Sequence, residues 1–236
     1  MLAIIKLGGS VISDKKKPYS LRYDLIKEIG EVLRESLGKW DIILVHGGGS
    51  FGHPKVKEIM EKNLTLKEMG WEVIRVMSEM SVKVTEALGK PFAPYSTPSL
   101  WANGVIVEPL LKALEVGWVP VLQGNVVPPG EVISGDEIVR DIALKLKPDL
   151  VALATDVDGV YPSWPPKGEP LKRASPCDVE AGGSQGIDVT GGMKRKLKEM
   201  NEVAKVTKVI IFNGLKLENY RKVLEGKAVG TELVPC

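Results

Sequence analysis

Apolar residues fall along this chain in two alternating rhythms. Short unbroken apolar runs cover residues 2–5, 42–45, 150–154 and 209–212. Runs of this kind, with no polar alternation, predict strands buried on both faces of a parallel sheet. Between them the spacing changes to that of a helix. Leu25, Ile29, Val32 and Leu33 predict a helix over 22–37, and further helices are predicted over 67–88, 108–115 and 216–224. Gly135-Asp136 opens another helix, which carries Ile138, Ile142, Ala143 and Leu146. Shorter strands are expected at 92–95 and 118–122. The stretch 124–134, centred on Pro128-Pro129-Gly130, predicts a hairpin. Residues 162–186 are loop-rich, and Thr190-Gly191-Gly192-Met193 predicts a further helix start.

Strands alternating with helices predict an α/β fold, a mainly parallel sheet covered on both faces. In such sheets ligands bind outside the carboxyl ends of the strands, and the glycine clusters of this sequence lie there. No repeat and no long linker divides the chain, so a single domain over 1–236, with room for two lobes around a cleft, is expected.

Composition narrows the functional classes. The chain has 236 residues, 44% of them hydrophobic, which supports a sizeable core. Its 32 Lys and Arg against 30 Asp and Glu give a net charge of +2, with no basic footprint for nucleic acid or a membrane surface. No segment reaches the roughly 18–20 continuous apolar residues of a membrane helix, and the N-terminal apolar run is too short for a signal peptide. A cytoplasmic location is the expectation. Cys177 and Cys236 have no CxxC partner, so neither a disulfide framework nor a cysteine zinc site is expected.

The candidate chemistry lies in three glycine clusters, Gly8-Gly9-Ser10, Gly47 to Gly52, and Gly191-Gly192. Glycine lets backbone N–H groups approach an anion, and a helix start adds a favourable dipole. One cluster also serves any ordinary strand-to-helix turn. Three at one sheet edge, each near a lysine, point to phosphate. Gly47-x-Gly49-x-x-Gly52 matches the dinucleotide fingerprint, but the region that would carry the ribose-binding acid on a second strand looks helical. There is no GxxxxGK[ST] segment.

Lys6 interrupts a buried run at a strand end, where a surface role explains it poorly. Lys15 begins a Lys15-Lys16-Lys17 run, and Lys196 sits on the helix opened by Gly192; Lys194 and Lys198 read as solvated. His46 closes a strand and reads as a structural residue satisfied by backbone partners. Pro54 suits the first position of the next helix, which places His53 where that helix begins, ready to donate to an anion. Asp136, Asp156 and Asp158 are each equally readable as lysine-orienting, nucleotide-binding or Mg²⁺-holding groups, or as helix caps and turn formers.

The ordered set Lys6-Leu7-Gly8-Gly9-Ser10, His46-Gly47-Gly48-Gly49, Ser134-Gly135-Asp136, Thr155 to Tyr161 and Gly191-Gly192-Met193-x-x-Lys196 resembles the amino acid kinase superfamily across essentially the whole chain. Within it, Gly47-Gly48-Gly49-Ser50-Phe51-Gly52-His53-Pro54 looks like the signature of the isopentenyl phosphate kinases. The resemblance implies an open αβα sandwich, ATP with Mg²⁺, and conversion of isopentenyl phosphate to isopentenyl diphosphate in an alternative mevalonate pathway. It implies an acceptor-binding lobe over about 1–145, a nucleotide-binding lobe over about 146–236, and a homodimer. By the same likeness Lys6, Lys15 and Lys196 would stabilise the transferring phosphoryl group. Lys6, Gly8, Gly9, Ser10, Gly49, Thr155, Asp156, Gly192 and Lys196 would hold ATP, and Gly48, Gly49, His53 and Gly135 the acceptor phosphate.

The chemistry suits those residue types. A phosphate acceptor is already nucleophilic at neutral pH, so the protein must neutralise and align two anions rather than supply a base. The stretch with Val73, Ile74, Val76, Met77 and Met80 offers either an apolar wall for a prenyl tail or plain helix core. The rival readings are a same-fold kinase for a short phosphonate of the fosfomycin type, a nucleoside monophosphate kinase, and a catalytically silent nucleotide-binding regulator.

Overall fold

The computed structural model describes residues 1–14, 16–162, 166, 168–177 and 192–236. Among the described residues eight strands form one sheet: β1 (Leu2–Leu7), β2 (Asp41–His46), β3 (Phe92–Pro94), β4 (Val119–Gln123), β7 (Leu150–Thr155), β8 (Arg173–Ala174), β9 (Lys208–Asn213) and β10 (Thr231–Leu233). Their order across the sheet is β3-β4-β2-β1-β7-β9-β10-β8. All pairings are parallel except β10 with β9. The four apolar runs became β1, β2, β7 and β9 at the centre of the sheet, each buried over nearly its whole length. A hairpin of β5 (Asn125–Val127) and β6 (Glu131–Ile133) stands apart from the main sheet.

Helices cover both faces. Alternate side chains of the central strands enter two separate apolar clusters. One holds Ile5, Leu7, Ile42 and Leu44 with residues of α2 (Tyr23–Glu35), α3 (Gly49–Glu61), α4 (Leu66–Leu88) and α8 (Leu217–Leu224). The other holds Ile4, Ile43, Val45, Val151 and Leu153 with residues of α5 (Glu108–Glu115), α6 (Gly135–Leu146) and α7 (Gly192–Ala204). A short α1 (Gly9–Ile12) follows β1. Because β1 is flanked by β2 on one side and β7 on the other, the strand order reverses around it. The crevice at such a switch point is where an open α/β sheet binds ligands.

Three expectations need correction. Helix α3 starts at Gly49, not at Pro54, so Pro54 and His53 lie within it. Proline is tolerated there because the acceptor it cannot serve, the Ser50 carbonyl, takes the Tyr19 N–H instead, at 2.9 Å. Second, Cys177 and Cys236 form a disulfide. Strand β10 runs parallel to β8 with Leu233 opposite Ala174, and the two cysteines lie equally far beyond that pair. This register joins segments 59 residues apart in sequence, which spacing alone does not reveal. Third, the loop-rich stretch contains β8, too short to carry a sequence signal. Residues 163–165, 167 and 178–191 lie outside the described residues. Among the described residues no helix is long and apolar enough to cross a membrane.

Candidate active site

One cleft opens at the switch point, and both halves of the chain line it. Gly8, Gly9 and Ser10 follow β1, Gly47 to Gly49 follow β2, and Ser134 to Asp136 begin α6. Thr155 ends β7 and Asp156 follows it, and Gly192 and Lys196 come from α7.

The glycines are required by close backbone packing. A Cβ on Gly9 would lie 2.6 Å from the Gly49 nitrogen, and one on Gly47 would lie 2.9 Å from the Gly9 nitrogen. Gly49 also has φ +47°, and a Cβ there would collide with the Ser13 hydroxyl. The Ser13 Oγ accepts the Ser50 N–H at 2.9 Å and donates to the Gly9 carbonyl at 2.7 Å, tying the two loops together. The backbone N–H groups of Gly9, Ser10, Gly48 and Gly49 find no acceptor among the described residues. Backbone amides without an acceptor at helix starts are the groups best suited to receive anionic oxygen.

Beneath these loops lies a buried ionic triad. Asp136 Oδ2 is 2.7 Å from Lys6 Nζ, and Asp136 Oδ1 is 3.0 Å from Lys196 Nζ. Lys6 and Asp136 are each 6% exposed and Lys196 is 8% exposed. Gly135 makes room for this arrangement, since a Cβ there would come within 3.0 Å of Lys6 Cε. Burial pulls the Lys6 ammonium down to about 8, with Asp136 opposing the fall and Lys196 adding to it. Burial pushes the Asp136 carboxyl up, but Lys196 and Lys6 together outweigh it and hold the group well below the usual carboxylate range. Of the readings the sequence left open for Asp136, the structure shows the pairing with lysines. Asp158 instead pairs with Lys216 at 2.6 Å and accepts from Asn213 at 3.0 Å, while Asp156 accepts from the Thr155 hydroxyl at 3.2 Å.

A tether outside the triad fixes α7. Ser134 caps α6: its Oγ accepts the Glu137 N–H at 3.2 Å, and Glu137 Oε2 accepts the Ser134 N–H at 2.8 Å. The same Glu137 oxygen accepts from Arg195 at 2.7 Å, next along the chain to Lys196. Two adjacent residues of α6 therefore hold two adjacent residues of α7.

Beside the loops the cleft turns apolar. Val56, Val73, Met77, Val126, Val132 and Ile133 line it near His53. Of the stretch considered as a wall, Val73 and Met77 face the cleft, whereas Val76 and Met80 are core. The hairpin residues Asn125, Val126, Val132 and Ile133 were not foreseen, since a hairpin's sequence does not say what it leans on. Lys6, Gly8, Gly9, Ser10, Gly48, Gly49, His53, Gly135, Thr155, Asp156, Gly192 and Lys196 all come together here. Lys15 and Gly191 lie outside the described residues. His46, expected to be satisfied by backbone partners, is so at Nδ1 only, 3.0 Å from the Gly47 carbonyl. Among the described residues no group of three or more His, Cys, Asp or Glu converges as a metal site.

Residues 1–213 match the model of the amino acid kinase family. The isopentenyl phosphate kinase of Methanocaldococcus jannaschii is 33% identical over 99% of this chain and 98% of its own. A solved isopentenyl phosphate kinase superposes with a TM-score of 0.81 at 26% identity, covering 98% of this chain and all of that one. The Thermoplasma acidophilum isopentenyl phosphate kinase product complex gives 0.79 at 28% identity, over 99% of this chain and 100% of that one. With the family model matched over residues 1–213 and a relative 33% identical over nearly its whole length, this chain belongs to the amino acid kinase family.

Proposed function

We propose that this chain transfers the terminal phosphoryl group of ATP to isopentenyl phosphate, giving isopentenyl diphosphate and ADP. The observation that carries the reading is a single cleft that pairs anion-seating amides and buried lysines with an apolar wall. A short polar acceptor of the fosfomycin type leaves that wall without a use. The isopentenyl phosphate kinases similar over the full length of the chain support the same choice.

In the proposed reaction an oxygen of the acceptor phosphate attacks the γ-phosphorus of ATP, and the bond from that phosphorus to the ADP oxygen breaks. No general base is needed. Gly8, Gly9, Ser10 and Gly49 seat the ATP phosphates, with Thr155, Asp156 and Gly192 along the nucleotide edge. Gly48, Gly49, His53 and Gly135 seat the acceptor phosphate. Lys6 and Lys196, held by Asp136, meet the charge that develops between the two anions, and Lys15 is assigned to the same task.

The amides and lysines fit ATP. No carboxylate cage for Mg²⁺ is formed among the described residues. The ion would be held chiefly by the phosphates it accompanies, where it neutralises their charge. The acceptor and nucleotide lobes over about 1–145 and 146–236, a cytoplasmic location and a homodimer complete the proposal, the last testable by size-exclusion chromatography with light scattering.

The test is ATP consumption with Mg²⁺ against isopentenyl phosphate, dimethylallyl phosphate, fosfomycin, UMP, glutamate and aspartate. Turnover concentrated on the two prenyl phosphates is expected. Preference for UMP or an amino acid would keep the phosphotransfer and overturn the assignment of the acceptor.

A further inference from the structure

His46 is fully buried at the end of β2, behind the acceptor loop rather than in it: Gly47, Gly48 and Gly49 line the cleft, and His46 does not. The one hydrogen bond of its side chain among the described residues is from Nδ1 to the Gly47 carbonyl, 3.0 Å away. The chain's only cis peptides among the described residues are Lys90-Pro91 and Pro128-Pro129, so the Gly47–Gly48 peptide is trans. In a trans peptide the C=O and the following N–H point in opposite directions. A carbonyl drawn back toward the buried imidazole therefore turns the Gly48 N–H the other way, toward the cleft. That N–H has no acceptor among the described residues.

The ring suits the task. Burial pulls the imidazole down to about 4, against the raising effect of the Gly47 carbonyl, so at neutral pH the ring is uncharged and carries one proton. Placed on Nδ1, that proton bonds Gly47, and Nε2, which has no partner among the described residues, is left as a lone pair. The rival tautomer would leave the Gly47 carbonyl facing a lone pair. Its Nε2–H would seek Gln123, which lies opposite His46 in register and whose Oε1 is also buried without a partner.

We infer that His46 is a positioning residue for phosphate transfer: through the Gly47 carbonyl it aims the Gly48 N–H at the acceptor phosphate. The inference rests on the acceptor reading of this loop proposed above. Among the described residues the imidazole is the one donor that reaches the Gly47 carbonyl, so that end of the peptide plane has no other polar restraint.

The experiment compares His46→Leu, which removes the donor, with His46→Asn, whose amide N–H takes the place of Nδ1–H. For His46→Leu the KM for isopentenyl phosphate is expected to rise about 3- to 10-fold, the weight of one neutral hydrogen bond, with the KM for ATP unchanged. His46→Asn is expected to restore most of the loss. An unchanged acceptor KM in His46→Leu, or no recovery in His46→Asn, overturns the inference. Nitrogen-15 spectra of the wild-type imidazole give a reading that needs no variant to fold: a proton on Nδ1 supports the inference, and a proton on Nε2 overturns it. A wild-type chain that turns over no prenyl phosphate overturns the acceptor reading and this inference with it. Wild-type turnover with an unaltered His46→Leu removes this inference alone.

Discussion

Helices α4 and α6 begin with the same local device and put it to different ends. In each a hydroxyl residue caps the first turn and a glutamate three positions on reaches back, Thr65 with Glu68 and Ser134 with Glu137. At α4 the box is exposed, and Glu68 bonds only Thr65. At α6 the glutamate also holds Arg195, and the residue before it is Asp136 of the lysine triad rather than the exposed Lys67. A capping box therefore starts a helix wherever it stands. Its place at the carboxyl edge of the sheet, opposite β1 and α7, turns one of the two into part of a site.

The largest expected break in this comparison comes from the second helical residue of each. Asp136→Asn leaves two buried ammonium groups without their counter-ion. It should lower kcat by about 10²–10³-fold and stability by about 3–5 kcal/mol; Lys67→Ala should change neither. Steady-state kinetics with thermal melts decides this, and wild-type kcat in Asp136→Asn would detach the carboxylate from the chemistry. Next comes the disulfide, which belongs to the α7 side, since the Cys236 N–H donates to Asn201 of that helix at 2.9 Å. Cys177→Ser, or reduction, should cost about 2–4 kcal/mol in denaturant melts. An unmoved midpoint would show that the bond constrains nothing.

His53→Ala tests the α3–α4 side of the cleft. Loss of a charge-assisted donor to the acceptor should weaken kcat/KM by about 1.5–3 kcal/mol, whereas an unaltered kcat/KM would remove His53 from the site. The caps themselves come next. Thr65→Ala and Ser134→Ala should each destabilise by about 1 kcal/mol, but only the latter should lower kcat/KM, because only it loosens the grip on α7. Equal kinetics in the two would erase the distinction drawn here. The mildest effect is that of pH. The Lys6 ammonium is lost as pH rises through about 8, so kcat/KM, which reports the free enzyme, should fall along that limb. Asp136 stays ionised throughout and adds no acid limb. A flat profile to pH 10 would mean that the Lys6 charge is not used.

Much of this was legible in the sequence because the signals were local. Unbroken apolar runs gave the central strands, and a lysine at the end of one of them was poorly explained as a surface charge. What stayed illegible depends on segments distant in sequence. Asp136, Asp156 and Asp158 looked alike because only the approach of β1 and α7 decides which carboxylate meets two lysines. The Cys177–Cys236 bond follows from the register of β10 on β8, and neither strand is long enough to announce itself. The tolerance of Pro54 depends on Tyr19, which comes from a loop before α2. The hairpin was visible, but its leaning on the cleft was not. The tip of that hairpin packs against the start of α4, where a Cβ on Gly130 would lie 2.6 Å from the Lys67 nitrogen.

The contact between Gly9 and the Gly47–Gly49 loop has a consequence for inheritance. Backbone meets backbone there, with the Ser13 hydroxyl as the one side chain bridging the loops, so the spacing of the two loops is set chiefly by the main chain. Selection is left the hairpin and the cleft-facing positions of α3 and α4 as its free alphabet. Descendants of this chain can change what they phosphorylate long before they can change how, and a saturation scan should show that division as an immutable kernel beneath a permissive wall.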